Sequence, residues 1–133
     1  MEEKRNNFEL APHEQILKVL LDFYKERDWS QFHSPKNLVM DLASEVGELL
    51  DLFRWTTEEQ SRSLDEEAMQ NVRDEVADVF KAILYLAYQL NIDPIEATQQ
   101  KIKKMEQKYP AELCRGKALK HTAYAFLLNK IEA

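Results

Sequence analysis

An all-α fold, four to five helices packed as a bundle, is predicted for this 133-residue chain by three observations. Only two glycines and four prolines occur, too few turn residues for hairpins or many short strands. Leu, Ala, Glu, Lys and Gln dominate, all good helix formers. Apolar residues also recur at helical spacing through four long segments. With 44% hydrophobic residues, a single domain over residues 1–133 has a core without disulfide or metal staples.

Residues 1–10, "MEEKRNNFEL", read as a loose polar leader and not as a signal peptide. From Pro12 to about Asp28, Ile16, Leu17, Leu20, Leu21, Phe23 and Tyr24 mark the first helix, with Pro12 in its first turn. "DWSQFHSP" breaks the pattern. Ser34 and Pro35 then supply an N-cap and first-turn proline for a second helix running to about Trp55. "TTEEQSRSLDEE" reads as a polar loop with a short helical turn, and a third helix follows from about Glu66 to Leu90. Its later half, "KAILYLAYQL", is apolar on nearly every side, as a central or subunit-contacting helix would be. Asp93 and Pro94 start a fourth helix reaching about Gln107, and Tyr109–Pro110 stops it. Residues 111–133 form a tail with basic Arg115, Lys117, Lys120 and His121, then a short helix in "AYAFLLNKI".

The net charge of −6 opposes general nucleic-acid binding, which needs a basic face. The longest apolar-rich run, "AILYLAYQL", is too short to span a bilayer. The single cysteine, Cys114, excludes an internal disulfide and suits a reducing compartment. A cytoplasmic protein binding neither nucleic acid nor membrane is the expectation. An acidic protein still takes a small polyanion if divalent cations sit between them, because the ion reverses the local sign.

On a helical wheel Leu38, Leu42, Val46, Leu49 and Phe53 share one arc, with Glu45 inside its margin and Glu48 just past it. In the third helix Val72, Val76, Val79, Ile83, Leu86 and Leu90 define the buried arc, flanked by Glu75 and Asp78. Both acid pairs are spaced i, i+3, so each puts two carboxylates on neighbouring turns of one face. If the two helices are antiparallel neighbours, the four acids converge. Converging carboxylates repel strongly unless something positive lies among them, and oxygen donors of this kind suit Mg²⁺ or Mn²⁺. On the residues alone the alternative stands beside this one: four solvated acids paired with Arg54, Arg73 or Lys81. Gly47, between Glu45 and Glu48, costs about 1 kcal/mol against Ala mid-helix, which points to a close approach by a packed helix or a ligand.

"RDWSQFHSPKNL", "SEVGELLDLFRW", "DEVADV" and "KYP" followed by "RGKALKHT" resemble, in order and over residues 14–122, the MazG-like all-α nucleoside triphosphate pyrophosphohydrolases. The dCTP pyrophosphatase branch is the nearest likeness. The resemblance implies a helical bundle that completes its sites by oligomerising, usually as a tetramer built from dimers. It implies Mg²⁺ held by Glu45, Glu48, Glu75 and Asp78, and cleavage of a nucleoside triphosphate substrate to the monophosphate and pyrophosphate. It also implies a base and sugar pocket drawing on Trp29, the segment through His33, and Trp55. An aromatic at such a place stacks on a base, worth about 1–3 kcal/mol in single-strand binders. Lys36, Arg115 and Lys120 are candidates to reach the triphosphate. The likeness has departures at Ser44, Ala82, Met105 and Leu20, where the branch or the wider family carries glutamate, tyrosine, asparagine and histidine. The hydrolytic chemistry survives these changes; the choice of base does not follow.

Two rivals complete the set. A di-iron carboxylate bundle would need Glu-x-x-His motifs, and none of His13, His33 and His121 has a Glu three residues before it. The other is a catalytically silent helical nucleotide-binding or scaffold protein whose acids are surface groups.

Overall fold

The structure, a computed structural model, describes residues 9–133. The expected leader falls mostly outside the described residues. Seven helices and no strand occur among those described: α1 (Pro12–Glu26), α2 (Pro35–Phe53), α3 (Glu58–Ser61), α4 (Glu66–Gln89), α5 (Pro94–Lys108), α6 (Ala111–Cys114) and α7 (His121–Ile131). The all-α expectation holds, and each expected long helix ends within two residues of its predicted bounds. None of the described helices is long and apolar enough to cross a membrane.

The helix starts are written in local chemistry. Proline opens α1, α2 and α5, where its missing N–H would have had no helical partner. Ser34 Oγ accepts from Asn37 N, Asp65 Oδ1 from Ala68 N at 2.8 Å, and Asp93 Oδ1 from both Ile95 N and Glu96 N. Thr57 and Gln60 close a reciprocal capping box over the single turn of α3.

The helix ends explain where the expectations overran. Asp28 and Asn91 adopt left-handed backbone, at φ 54° and 56°. After α1, Asp28 N donates to Lys25 O and Trp29 N to Tyr24 O; after α4, Asn91 N donates to Tyr88 O and Ile92 N to Ala87 O. Both are Schellman closures, with Asp and Asn in the place glycine usually takes. They stop α1 at Glu26 and α4 at Gln89.

The chain divides into two compact units at Ile92/Asp93. In the first, α2 packs along α4 and α1 lies against α4. Residues pair in opposite order along α2 and α4: His33, just before α2, meets Tyr85, while Glu45 neighbours Asp78 and Glu48 neighbours Glu75. The two helices are therefore antiparallel. Leu38, Ala82, Leu84, Tyr85 and Ala87 are the buried apolar side chains of this unit. In the second, α5 and α6 contact α7. The Tyr124 hydroxyl accepts from Leu119 N at 2.9 Å and donates to Lys117 O at 3.0 Å, and its ring stands edge-on to Tyr109.

The predicted buried arcs need correction. Val46, Val76, Ile83 and Leu90 are exposed, whereas Ala82 and Tyr85 are buried. The stripe of α4 turned toward α2 runs through Glu75, Asp78, Ala82 and Tyr85, so the acids sit in the helix–helix seam and not at its margin. A wheel locates an apolar stripe but not which of two adjoining stripes a neighbour covers. A Cβ built at Gly47 would meet nothing within 4 Å, so no described helix of this chain itself requires the glycine.

Candidate active site

The antiparallel seam between α2 and α4 places Glu45 and Glu48 opposite Asp78 and Glu75. Glu45, Glu48 and Glu75 each offer a carboxylate oxygen, all within 4.8 Å of one another. Asp78 is not part of that group; its Oδ1 accepts from the ammonium of Lys81, one turn further along α4. Burial alone would lower the Lys81 pKa, but the hydrogen bond and charge of Asp78 outweigh it and hold it above the ordinary value.

One oxygen each of Glu45 and Glu75 is buried without a hydrogen-bond partner. Such atoms are rare in folded proteins because their desolvation goes uncompensated. Both carboxyls are accordingly raised above the ordinary value, first by desolvation. For Glu45 the next cause is the charge of Asp78, partly offset by Lys81; for Glu75 it is the neighbouring Glu48. Three carboxylate oxygens this close, two of them buried without a hydrogen-bond partner, fit a hard divalent cation.

Beside the carboxylates opens a pocket of about 660 Å³ in the same unit. Its floor is an aromatic group: Tyr24 lies 4.6 Å from His33 and 4.8 Å from Tyr85 between ring centroids, and His33 lies 5.0 Å from Tyr85. His33 Nδ1 and the Tyr85 hydroxyl are hydrogen-bonded at 3.1 Å, and Gln89 Nε2 donates to the same hydroxyl. Burial raises the Tyr24 phenol pKa, with Lys81 opposing and Asp41 adding to the rise. The lip is set by the Schellman closure of α1, which turns Trp29 back against Phe23 at 5.8 Å. A 3₁₀ turn over Ser30–Phe32 then carries the chain to His33, and Asn37 Nδ2 ties it down by donating to Phe32 O. Glu45 lines this pocket and also belongs to the carboxylate cluster. It is the side chain that joins the two.

Of the residues singled out in the sequence, Trp29, His33 and Glu45 line the pocket, and Glu48 and Glu75 complete the cluster. Trp55 lies beyond α2, 85% exposed, with the Arg54 guanidinium 5.0 Å over its ring. Lys36 is exposed in the first turn of α2, and neither residue lines the pocket. Arg115 follows α6 and Lys120 precedes α7, both exposed in the second unit. Sequence reasoning missed Tyr24, Asn37, Lys81 and Tyr85 as pocket residues. A signal existed for two of them. Asn37, Asp41 and Glu45 recur every four residues on α2, and Tyr85 falls two turns beyond Asp78 on the same stripe. Two of the departures from the family pattern, Leu20 and Ala82, also line this pocket.

Comparison with known proteins agrees with the geometry. The sequence pattern of the MazG-like family matches residues 42–118, which include all four acids. The chain belongs to the MazG-like family. It is 37% identical to dCTP pyrophosphatase 1 of Mus musculus over 111 residues, covering 82% of this chain and 65% of that protein. Against dCTP pyrophosphatase 1 of Homo sapiens the identity is 37% over 113 residues, covering 82% and 65%. The chain thus spans about 65% of the length of these relatives. Among solved structures, a pyrophosphatase from Archaeoglobus fulgidus is 37% identical with a TM-score of 0.72, covering 76% of this chain and 94% of that one.

Proposed function

We propose that this protein hydrolyses a (deoxy)nucleoside triphosphate to the monophosphate and pyrophosphate, using Mg²⁺ or, in its place, Mn²⁺. The observation that carries the reading is Glu45, shared between a cluster of three glutamates and an aromatic pocket able to hold a base. The MazG-like membership and the likeness to dCTP pyrophosphatase 1 support the same reaction class.

Glu45, Glu48 and Glu75 would hold the cation, with Asp78 as the fourth ligand. When bound, the ion neutralises phosphate oxygens and the departing pyrophosphate. One of these glutamates orients or deprotonates the attacking water. Trp29 and Tyr24 offer faces to the base, while Asn37 and His33 offer hydrogen bonds to its edge or to the sugar. Trp55, Lys36, Arg115 and Lys120 stay candidates for substrate contact from outside this pocket. By the likeness to dCTP pyrophosphatase 1, dCTP and modified pyrimidine nucleotides are the first candidates, in a role of nucleotide-pool housecleaning, while Leu20 and Ala82 leave the base to the substrate panel.

Pyrophosphate release from a panel of natural and modified triphosphates, with Mg²⁺, tests this directly. At least one is expected to turn over with a kcat near or above about 1 s⁻¹. No turnover across the panel would leave the silent nucleotide-binding or scaffold reading in its place.

We further propose a homo-oligomer, dimer or tetramer. Val39, Val46 and Leu50 on α2, and Ile16, Val19 and Phe23 on α1, are exposed apolar stripes of the kind a second copy covers. A sedimentation coefficient larger than that of a 15.7 kDa monomer is expected, and a monomer at tens of micromolar (roughly, the range in which weak assemblies form) would refute it.

A further inference from the structure

We propose that Lys81 is a built-in counter-ion of the acid cluster, one that occupies Asp78 and thereby weakens divalent-cation binding. The proposal rests on the cation-site reading above and concerns how that site is tuned. Its basis is where the lysine sits. Lys81 lines the acid-bearing pocket and also a second, almost wholly apolar groove of about 530 Å³ formed with Ile16, Val19, Phe23 and Phe80. A lysine between two such surfaces lays its four-carbon stem along the apolar one and delivers its ammonium to the polar one. Here the ammonium meets Asp78, with Glu45 and Tyr24 as its other charged or titratable neighbours. Both side chains of the pair are about one-third exposed, 37% and 36%, so solvent screens it less than a free surface pair.

Two consequences follow from this arrangement. With no cation present, the ammonium relieves the repulsion that four converging carboxylates would otherwise suffer. Asp78 becomes a ligand either through its other oxygen or by releasing Lys81, and in both cases the ammonium is a like-charged neighbour of the incoming ion. Both effects act against the cation. The three glutamates, which Lys81 does not hold, are left as the set that binds first, which matches their mutual approach without Asp78.

The test is Mn²⁺ binding to the metal-free full chain, followed by calorimetry and by the loss of the free-Mn²⁺ magnetic resonance signal. Lys81→Met keeps the length and apolar stem but removes the charge, and is expected to bind Mn²⁺ roughly five- to tenfold more tightly than the unmodified protein, or to take up an additional ion. Lys81→Arg keeps the charge and is expected to stay near the unmodified value. Lys81→Gln serves in the same way if the methionine variant does not fold by circular dichroism. Equal or weaker Mn²⁺ binding by the folded neutral variants overturns the counter-ion role while leaving the cation site intact. Mn²⁺ binding that Glu45→Gln and Glu48→Gln leave unchanged removes the cation site itself, and the counter-ion role with it.

Discussion

Glu48→Gln and Glu75→Gln are each expected to lower the rate of pyrophosphate release by about a hundredfold or more while leaving the helical circular dichroism spectrum unchanged. The amide has nearly the shape of the carboxylate and keeps one acceptor oxygen, so the seam between α2 and α4 is not emptied. What it loses is a negative charge, and with it much of the attraction that draws a divalent cation into the cluster. In Glu75 that loss also has a measurable effect on the metal-free protein. Its carboxyl is raised first by desolvation and then by Glu48, Asp78 and Asp74. A group raised in the folded state contributes stability that is complete below its ordinary value, 4.5, and is lost as pH climbs through the raised one. In a chelator the unmodified protein should therefore lose thermal stability over that interval, as ionisation forces like charges together. Glu75→Gln should flatten the loss and melt higher than the unmodified protein at neutral pH. An active Glu75→Gln enzyme, or an unaltered slope of melting temperature against pH, would contradict the placement of this carboxyl in the cluster.

Tyr85→Ala is expected to cost about 3–5 kcal/mol of unfolding free energy, read from urea denaturation. Tyr85 is 2% exposed and its ring touches Tyr24 and His33 at the centre of the first unit. Truncation opens a cavity that the close-packed helices around it refill only in part. Tyr85→Phe separates packing from hydrogen bonding. It keeps the ring but takes the hydroxyl from His33 Nδ1 and Gln89 Nε2, a loss of about 1 kcal/mol. If the site reading is right, the freed His33 ring also raises KM for the triphosphate with less effect on kcat. A cost below about 1 kcal/mol for Tyr85→Ala would mean that the seam is not the core of this unit.

Much of this architecture is legible in short stretches of sequence, because it depends on short-range chemistry. Ser34–Pro35, Asp65 and Asp93–Pro94 announce helix starts through the bonding needs of the first N–H groups. The i, i+3 spacing of Glu45 with Glu48, and of Glu75 with Asp78, places each pair on one face whatever the helix packs against. The stops at Glu26 and Gln89 were less legible, since Asp28 and Asn91 tolerate the left-handed backbone without demanding it.

The amino-acid sequence by itself determined the all-α class, the order and approximate bounds of the long helices, and the pairing of acids along two of them. Each of those depends on residues within one or two turns of one another. Only the tertiary structure decided that the acid-bearing stripes face each other and that Glu45 joins the cluster to an aromatic pocket. Those relations connect residues some 30 to 50 positions apart through the rotation of α2 against α4, and rotation is set by how whole faces fit together, a quantity no local pattern encodes.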